Sequence, residues 1–329
     1  MLYLPHFGLQ QTPFGLTPNT AFYVGLPAHQ QAMAVLQVAL AQGEGFIKVT
    51  GEVGTGKTLL CRKLLQEAPP HWTLAYLPDP NLSPLELKWA LALELGLKQS
   101  ANIDGPQLAH LLQRQLLLLA AQQKQVVLLI DEAQALPDDT LEALRLLTNL
   151  ETEQHKLLQV VLFAQPELDR RLASYQFRQL RQRISFSYRL TVMDWQQVGH
   201  YVRARLARAG VAQPLFGKLA LRVLAHFSRG VPRLVNILAH KALMLAYGKN
   251  RQQISVALVW AAVQDTDDAK PALAGGSLVW WLALVFALVF ALILGSLLLM
   301  TGAELWPEWL NWFDIGLQSS RQTTTGVAE

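Results

Sequence analysis

The run G-E-V-G-T-G-K-T at 51–58 constrains the fold of this chain more than any other stretch. It fits G-x-x-x-x-G-K-[ST], and it lies between an apolar, strand-length segment at 46–50 and a segment with helical spacing of apolar residues at 57–67. That is the setting a phosphate-binding loop requires. Glycines at 51, 54 and 56 let the backbone turn tightly enough to aim N–H groups at phosphate oxygens, and the start of the following helix adds the positive end of its dipole. Lys57 is placed to hold the β- and γ-phosphates, and the Thr58 hydroxyl to ligate Mg²⁺. The nucleotide-contacting run is therefore Gly51, Glu52, Val53, Gly54, Thr55, Gly56, Lys57, Thr58 and Leu59, with ATP and Mg²⁺ as the cofactors. An ordinary Gly-rich turn with an exposed lysine does not account for a match at every fixed position.

Further apolar runs of strand length occur at 74–77, 126–130, 158–164 and 184–190, and helical patterns at 27–41, 57–67, 83–95, 107–122 and 138–151 separate most of them. Alternation of this kind predicts an α/β fold with a parallel sheet sandwiched by helices. Ser83 with Glu86 has the spacing of a capping box. After 190 the strand patterns stop, and helical patterns follow at 194–209, 214–227, 232–247 and 255–267. The expected organisation is an α/β nucleotide-binding domain with an N-terminal extension at 1–190 and a helical lid at 191–267. A Pro- and Gly-containing linker at 268–276, an apolar span at 277–300 and a short tail at 301–329 complete it.

The strand at 126–130 ends in Asp131-Glu132, at the edge where open α/β sheets bind ligands. Asp131 is expected to serve Mg²⁺, and Glu132 to orient and deprotonate an attacking water. Gln165 follows the next strand and is a candidate sensor of the γ-phosphate, although a Gln-Pro pair also ends a strand without any such role. Arg178, Arg181 and Arg183 fall within six residues before the last strand. Arg183 and Arg181 are the preferred candidates for an arginine finger reaching a neighbouring subunit, against the alternatives of a solvated basic face or a nucleic-acid contact. Arg233 follows Pro232 in the first turn of a lid helix, where a cation opposes the dipole. That placement points to use of the side chain elsewhere, on the γ-phosphate.

Between Lys270 and Glu304 there is no charge, and 277–300 is apolar almost throughout. A helix rises about 1.5 Å per residue and needs about 20 apolar residues to cross a bilayer, so this segment reads as a single membrane span. Four Lys/Arg lie from Lys241 to Lys270, whereas Arg321 is the only basic residue after the span. The positive-inside bias then keeps the upstream part cytoplasmic and the tail periplasmic. Trp306, Trp309 and Trp312 suit the headgroup layer. The N-terminus lacks the pattern of a secretory signal. A net charge of +4 is too slight to imply a nucleic-acid partner, and the lone Cys61 cannot form an internal disulfide.

Taken in order, the phosphate loop, the strand with Asp131-Glu132, Gln165-Pro-Glu-Leu, Gln-Arg183-Ile and Gly230-x-Pro-Arg233 resemble the AAA+ ATPases. F-G-L-x-x-x-P-F at 7–14, D-E-A-Q at 131–134 and F-A-Q-P-E-L at 163–168 are similar to the ExeA/GspA-type secretion ATPases, including their MSHA-type pilus-biogenesis members. The resemblance implies a five-stranded sheet, a helical lid and nucleotide-linked homo-oligomerisation. It also implies inner-membrane pilus or secretion components as partners. Relatives of the secretion type often carry a peptidoglycan-binding domain beyond the membrane, and with only a short tail after Met300 direct cell-wall binding is not expected here. Two other readings stay open at the level of sequence: a DNA-associated AAA+ ATPase of transposition type, and an ATP-regulated scaffold with negligible turnover.

Overall fold

Five parallel strands build one sheet: β1 (Phe46–Thr50), β2 (Trp72–Leu77), β3 (Gln125–Ile130), β4 (Gln159–Ala164) and β5 (Ile184–Arg189), in the spatial order β2-β3-β4-β1-β5. The computed structural model describes residues 2–98, 103–152, 156–270 and 287–292. The order places β1, which feeds the phosphate loop, between β4 and β5, and β3, which carries the acid pair, next to β4. All five strand runs expected from the sequence are present, with ends moved by one or two residues.

Helices follow in the order α1 (Leu4–Phe7), α2 (Pro27–Ala41), α3 (Lys57–Glu67), α4 (Pro84–Glu94), α5 (Gly105–Ala121), α6 (Asp138–Leu147), α7 (Pro166–Leu172), α8 (Arg178–Arg183), α9 (Trp195–Arg208), α10 (Lys218–Ser228), α11 (Pro232–Gly248) and α12 (Val256–Gln264). Side chains of a strand alternate between faces, and the central strands here are apolar on both. Ile47, Val49, Val127, Leu129, Val161 and Phe163 pack with α2 and α3, while Phe46, Val126, Leu128, Ile130, Val160 and Leu162 pack with α4 to α8. The capping box at Ser83 forms in both directions, with Glu86 accepting from the Ser83 N–H at 2.8 Å.

The helix expected at 138–151 stops at Leu147, where Thr148 turns its hydroxyl back onto the Arg145 carbonyl. The pattern at 214–227 becomes helical only from Lys218, because Phe216 instead bridges Ile254. Helices α7 and α8 fill 166–183, which carry too few periodic apolar residues to signal them.

Sequence order groups the N-terminal extension with the α/β region, but its apolar side chains are buried elsewhere. Tyr3, Phe7, Phe14, Phe22 and Val24 share a core with Val202, Leu206, Leu238 and Leu243 of the helical region. Residues 2–26 thus form a strap that completes the core of the lid. Met1–Lys270 form one compact unit, and Pro271–Glu329 a second. Of the second, only 287–292 are described, as helix. Among the described residues no helix is long and apolar enough to cross a membrane. The span expected at 277–300 lies outside the described residues apart from 287–292, as do 271–276 of the linker and the whole tail.

Candidate nucleotide site

The phosphate loop leaves β1 after Thr50 and is stitched to the sheet by the Gly51 N–H, which donates to the Ala164 carbonyl at 3.1 Å. Gly54 and Gly56 take left-handed backbone angles (φ +81° and +100°), which side chains disfavour. A Cβ on Gly56 would also lie 3.0 Å from Nε2 of His29, at the first turn of α2. That Nε2 donates to the Thr55 carbonyl at 2.8 Å, so α2 props the loop from behind. Lys57 is buried and closes the turn, its ammonium donating to the carbonyls of Gly51 at 2.8 Å and Glu52 at 3.1 Å. Burial lowers the Lys57 pKa, against the pull of Glu132, Asp131, Glu52 and Glu167. An arriving polyphosphate offers that ammonium stronger acceptors than carbonyls.

At the end of β3, Asp131 is buried and accepts from the Glu132 N–H at 3.0 Å. Burial raises its pKa, and hydrogen bonds from Thr58 and from the Glu132 backbone work against that. Thr58 and Asp131 are therefore neighbours across the loop. Their hydroxyl and carboxylate form a hard, all-oxygen donor pair. No cluster of three or more His, Cys, Asp or Glu able to hold a metal occurs among the described residues. Such a pair fits Mg²⁺, which keeps several waters and takes much of its coordination from nucleotide phosphates.

Glu132 sits in a left-handed conformation (φ +50°), rare for a residue with a Cβ and a mark of local strain. Its Oε2 accepts from Nε2 of Gln134 at 2.6 Å and from Nε2 of Gln165 at 3.0 Å. Gln165 is thus brought to the site, with its amide on Glu132.

The lid closes the site from the other side. A cleft of about 350 Å³ is lined by Lys57, Thr58, Glu132, Tyr201, Arg233 and Asn236, among others. Arg233 lines the cleft, and its backbone N–H donates to the Gly54 carbonyl at 3.2 Å. A larger cavity of about 620 Å³ between residues 11–20 and α3 contains none of the loop residues. The smaller cleft is the one into which the phosphate loop opens.

Arg183 and Arg181 are not part of this assembly. Arg183 donates to the Arg145 carbonyl at 3.3 Å and to Thr148 Oγ1 at 3.4 Å, and the exposed Arg181 to the Ala173 carbonyl at 3.5 Å. Neither lines the cleft of its own chain.

Four contributors escape a reading of the sequence: His29, Tyr201, Arg205 and Asn236. Tyr201 donates to Asn236 at 3.1 Å and accepts from Arg205 at 2.8 Å, and Arg205 also donates to the Pro13 carbonyl at 2.5 Å. Only their helical spacing on α9, i and i+4, links Tyr201 to Arg205 in the sequence. Cys61 is buried in α3 with its thiol pKa pushed well up by desolvation, which removes it from any chemistry.

A phosphate loop on β1 of a five-stranded parallel sheet, an acid pair on β3 with β4 between them, and an arginine offered by a helical lid define a P-loop NTPase of the AAA+ class. Residues 40–172 match the AAA domain family. Over 253 residues, 77% of this chain and 46% of the relative, the sequence is 42% identical to General secretion pathway protein A of Aeromonas hydrophila. The chain belongs with the ExeA/GspA-type AAA+ ATPases, and it spans about half the length of that relative. Among solved structures it is similar to Cdc6p from Pyrobaculum aerophilum (TM-score 0.58, 18% identity, 75% of this chain and 70% of that one). It is also similar to the Thermotoga maritima RuvB Holliday junction branch migration motor (TM-score 0.52, 17% identity, 79% and 76%). At such identities the likeness is one of fold.

Proposed function

We propose that this chain binds Mg²⁺-ATP in the cleft between phosphate loop and lid and hydrolyses it. The observation that carries this reading is the convergence of Lys57, Thr58, Glu132 and Arg233 on one cleft, with Asp131 beside Thr58. Lys57 and the loop N–H groups bind the phosphates, Thr58 and Asp131 hold the metal, and Mg²⁺ supplies charge neutralisation when bound. Glu132 orients a water and takes its proton as the water oxygen bonds to the γ-phosphorus. The bond from that phosphorus to the bridging oxygen breaks, leaving ADP and phosphate.

The wider role proposed is assembly or remodelling of a type IV pilus of MSHA type or of a secretion apparatus. Kinship with a general secretion pathway protein and the apolar stretch at 277–300 support it. In this reading the chain is anchored once in a bacterial inner membrane, works as a nucleotide-dependent homo-oligomer and meets membrane components of that machinery.

Equilibrium ATP binding and phosphate release test the core of the proposal. Lys57→Ala should lose nucleotide affinity. Glu132→Gln should keep ATP and stop cleaving it, because general-base action contributes roughly 10²- to 10⁴-fold. A Glu132→Gln protein that releases phosphate at the parental rate would rule out the assignment of Glu132.

A further inference from the structure

We infer that Gln134 is a positioning residue for Glu132, its side-chain amide bridging the water-activating carboxylate to the end of β4. The inference rests on the hydrolytic reading above. Gln134 uses both ends of its amide: Nε2 donates to Glu132 Oε2 at 2.6 Å, and Oε1 accepts from the backbone N–H of Gln165 at 2.9 Å. Its own backbone is fixed as well. Arg171 of α7 donates through Nη1 to the Gln134 carbonyl at 2.7 Å and through Nη2 to the Leu136 carbonyl at 2.8 Å. The side chain is therefore held at its root by α7 and at its tip by β4, and it presents its N–H to the carboxylate from a fixed direction.

Glu132 needs such a bracket. Its backbone is in the left-handed region, directly after a strand, so the local chain alone does not fix where the carboxylate points. The second donor to the same oxygen is the side chain of Gln165. As the candidate γ-phosphate sensor, Gln165 can exchange Glu132 for nucleotide only if another group keeps the carboxylate in place. Gln134 is that group. With Oε2 occupied by amide donors, Oε1 remains for the attacking water.

A purely architectural Gln134, one that only satisfies the Gln165 N–H, makes a different forecast from a positioning one. Gln134→Glu separates them, because a carboxylate still accepts from that N–H but cannot donate to Glu132 and repels it. In the full chain Gln134→Glu should lower kcat for ATP at least about tenfold, a fraction of what general-base catalysis contributes, with KM within about twofold of the parent. A second readout is independent of turnover. In the nucleotide-free protein Gln134→Glu should lower the thermal midpoint by about 2–4 °C, and Glu132→Gln combined with Gln134→Glu should restore it, since the pair then hydrogen-bonds in the reverse sense. The double variant should stay inactive. A Gln134→Glu protein at the parental kcat, or midpoint changes that simply add, would overturn the bracket. A parental chain that releases no phosphate would instead contradict the proposed activity, and the midpoints alone would then decide the role of Gln134.

Discussion

The carbonyl of Gly54, at the tip of the phosphate loop, accepts the backbone N–H of Arg233 at 3.2 Å, and a methyl group on Gly54 would come within 2.6 Å of the Arg233 Cβ. Loop and lid are in contact through two residues whose backbones leave no room for a side chain between them. Gly54→Ala would meet this overlap and a left-handed backbone together, a strain of about 1–3 kcal/mol. ATP affinity is expected to fall roughly tenfold or more, the equivalent of 1.4 kcal/mol. Gly248→Ala, where nothing lies within 4 Å of the added carbon, should bind as the parent does. Calorimetric titration of the three proteins checks this, and equal affinities would remove the contact from the binding site.

Most of the α/β layer is legible because its signals are local. The phosphate loop has its own glycines, the strands are continuous apolar runs and Ser83-Glu86 announces a cap, so the strand boundaries fall within a residue or two. The strap is illegible for the opposite reason. Phe14 and Phe22 are spaced like any buried aromatic, and nothing near them tells that their core lies far downstream on α9 and α11, at Val202, Leu206, Leu238 and Leu243. His29 does not stand out, and Gln134 stands out only as the end of D-E-A-Q with no role attached, for a similar reason. Each makes a hydrogen bond to a distant backbone group, Thr55 or Gln165, that the primary sequence does not encode, and Gln134 adds its bond to Glu132.

His29 gives the nucleotide site a dependence on pH. Burial depresses its pKa, the Thr55 bond opposes this only in part, and its Nδ1 is buried with no hydrogen-bond partner among the described residues. The folded state therefore favours the neutral ring. Stability is intact above the unfolded pKa of about 6.5 and declines as the pH falls below it toward the depressed folded value. His240 is shifted the same way by burial and adds to the effect. Thermal midpoints between pH 7.5 and 5 should drop less steeply for His29→Gln, which keeps a donor for Thr55 and cannot titrate. Parallel curves for the two proteins would assign the acid sensitivity elsewhere.

Arg183 stands at the C-terminal end of α6 and away from the cleft of its own chain. If it completes the site of a neighbouring subunit, the rate per subunit should rise with protein concentration. Arg183→Ala should bind ATP and stay slow at every concentration, by roughly 10³-fold or more if it acts as a full arginine finger. Arg181→Ala tests the exposed alternative. A specific activity that stays flat on dilution of a monomeric protein would contradict action in trans.

For the proposed anchor, the forecast concerns topology. A reporter active only in the periplasm should be active when fused after Glu329, and inactive when fused after Lys270 with 277–300 deleted. The excess of Lys and Arg before the apolar stretch sets this direction. The reverse pattern would overturn both the orientation and the proposed inner-membrane partners.

Arg205 ties the strap to the lid. It is 6% exposed, and no carboxylate pairs with it among the described residues. Its charge is met by the Pro13 carbonyl, the Tyr201 hydroxyl and the rings of Phe22 and Tyr201, at 5.1 and 5.5 Å. Hydrogen bonds to a charged group are worth roughly 1.5–3 kcal/mol, and removing this donor also leaves the Pro13 carbonyl buried without its partner. Arg205→Met, which keeps length and apolar bulk, should therefore lower the thermal midpoint by several degrees and open residues 11–20 to proteolysis. Arg205→Lys should not rescue it, because one ammonium lacks the planar fork that serves Pro13 and Tyr201 together. Arg62 also donates to the strap, to the Pro18 carbonyl at 2.9 Å, but from an exposed position, so Arg62→Ala should stay within about 0.5 kcal/mol of the parent. If Arg205→Met matched the parent in both midpoint and proteolysis, the strap would be held by its aromatic side chains alone.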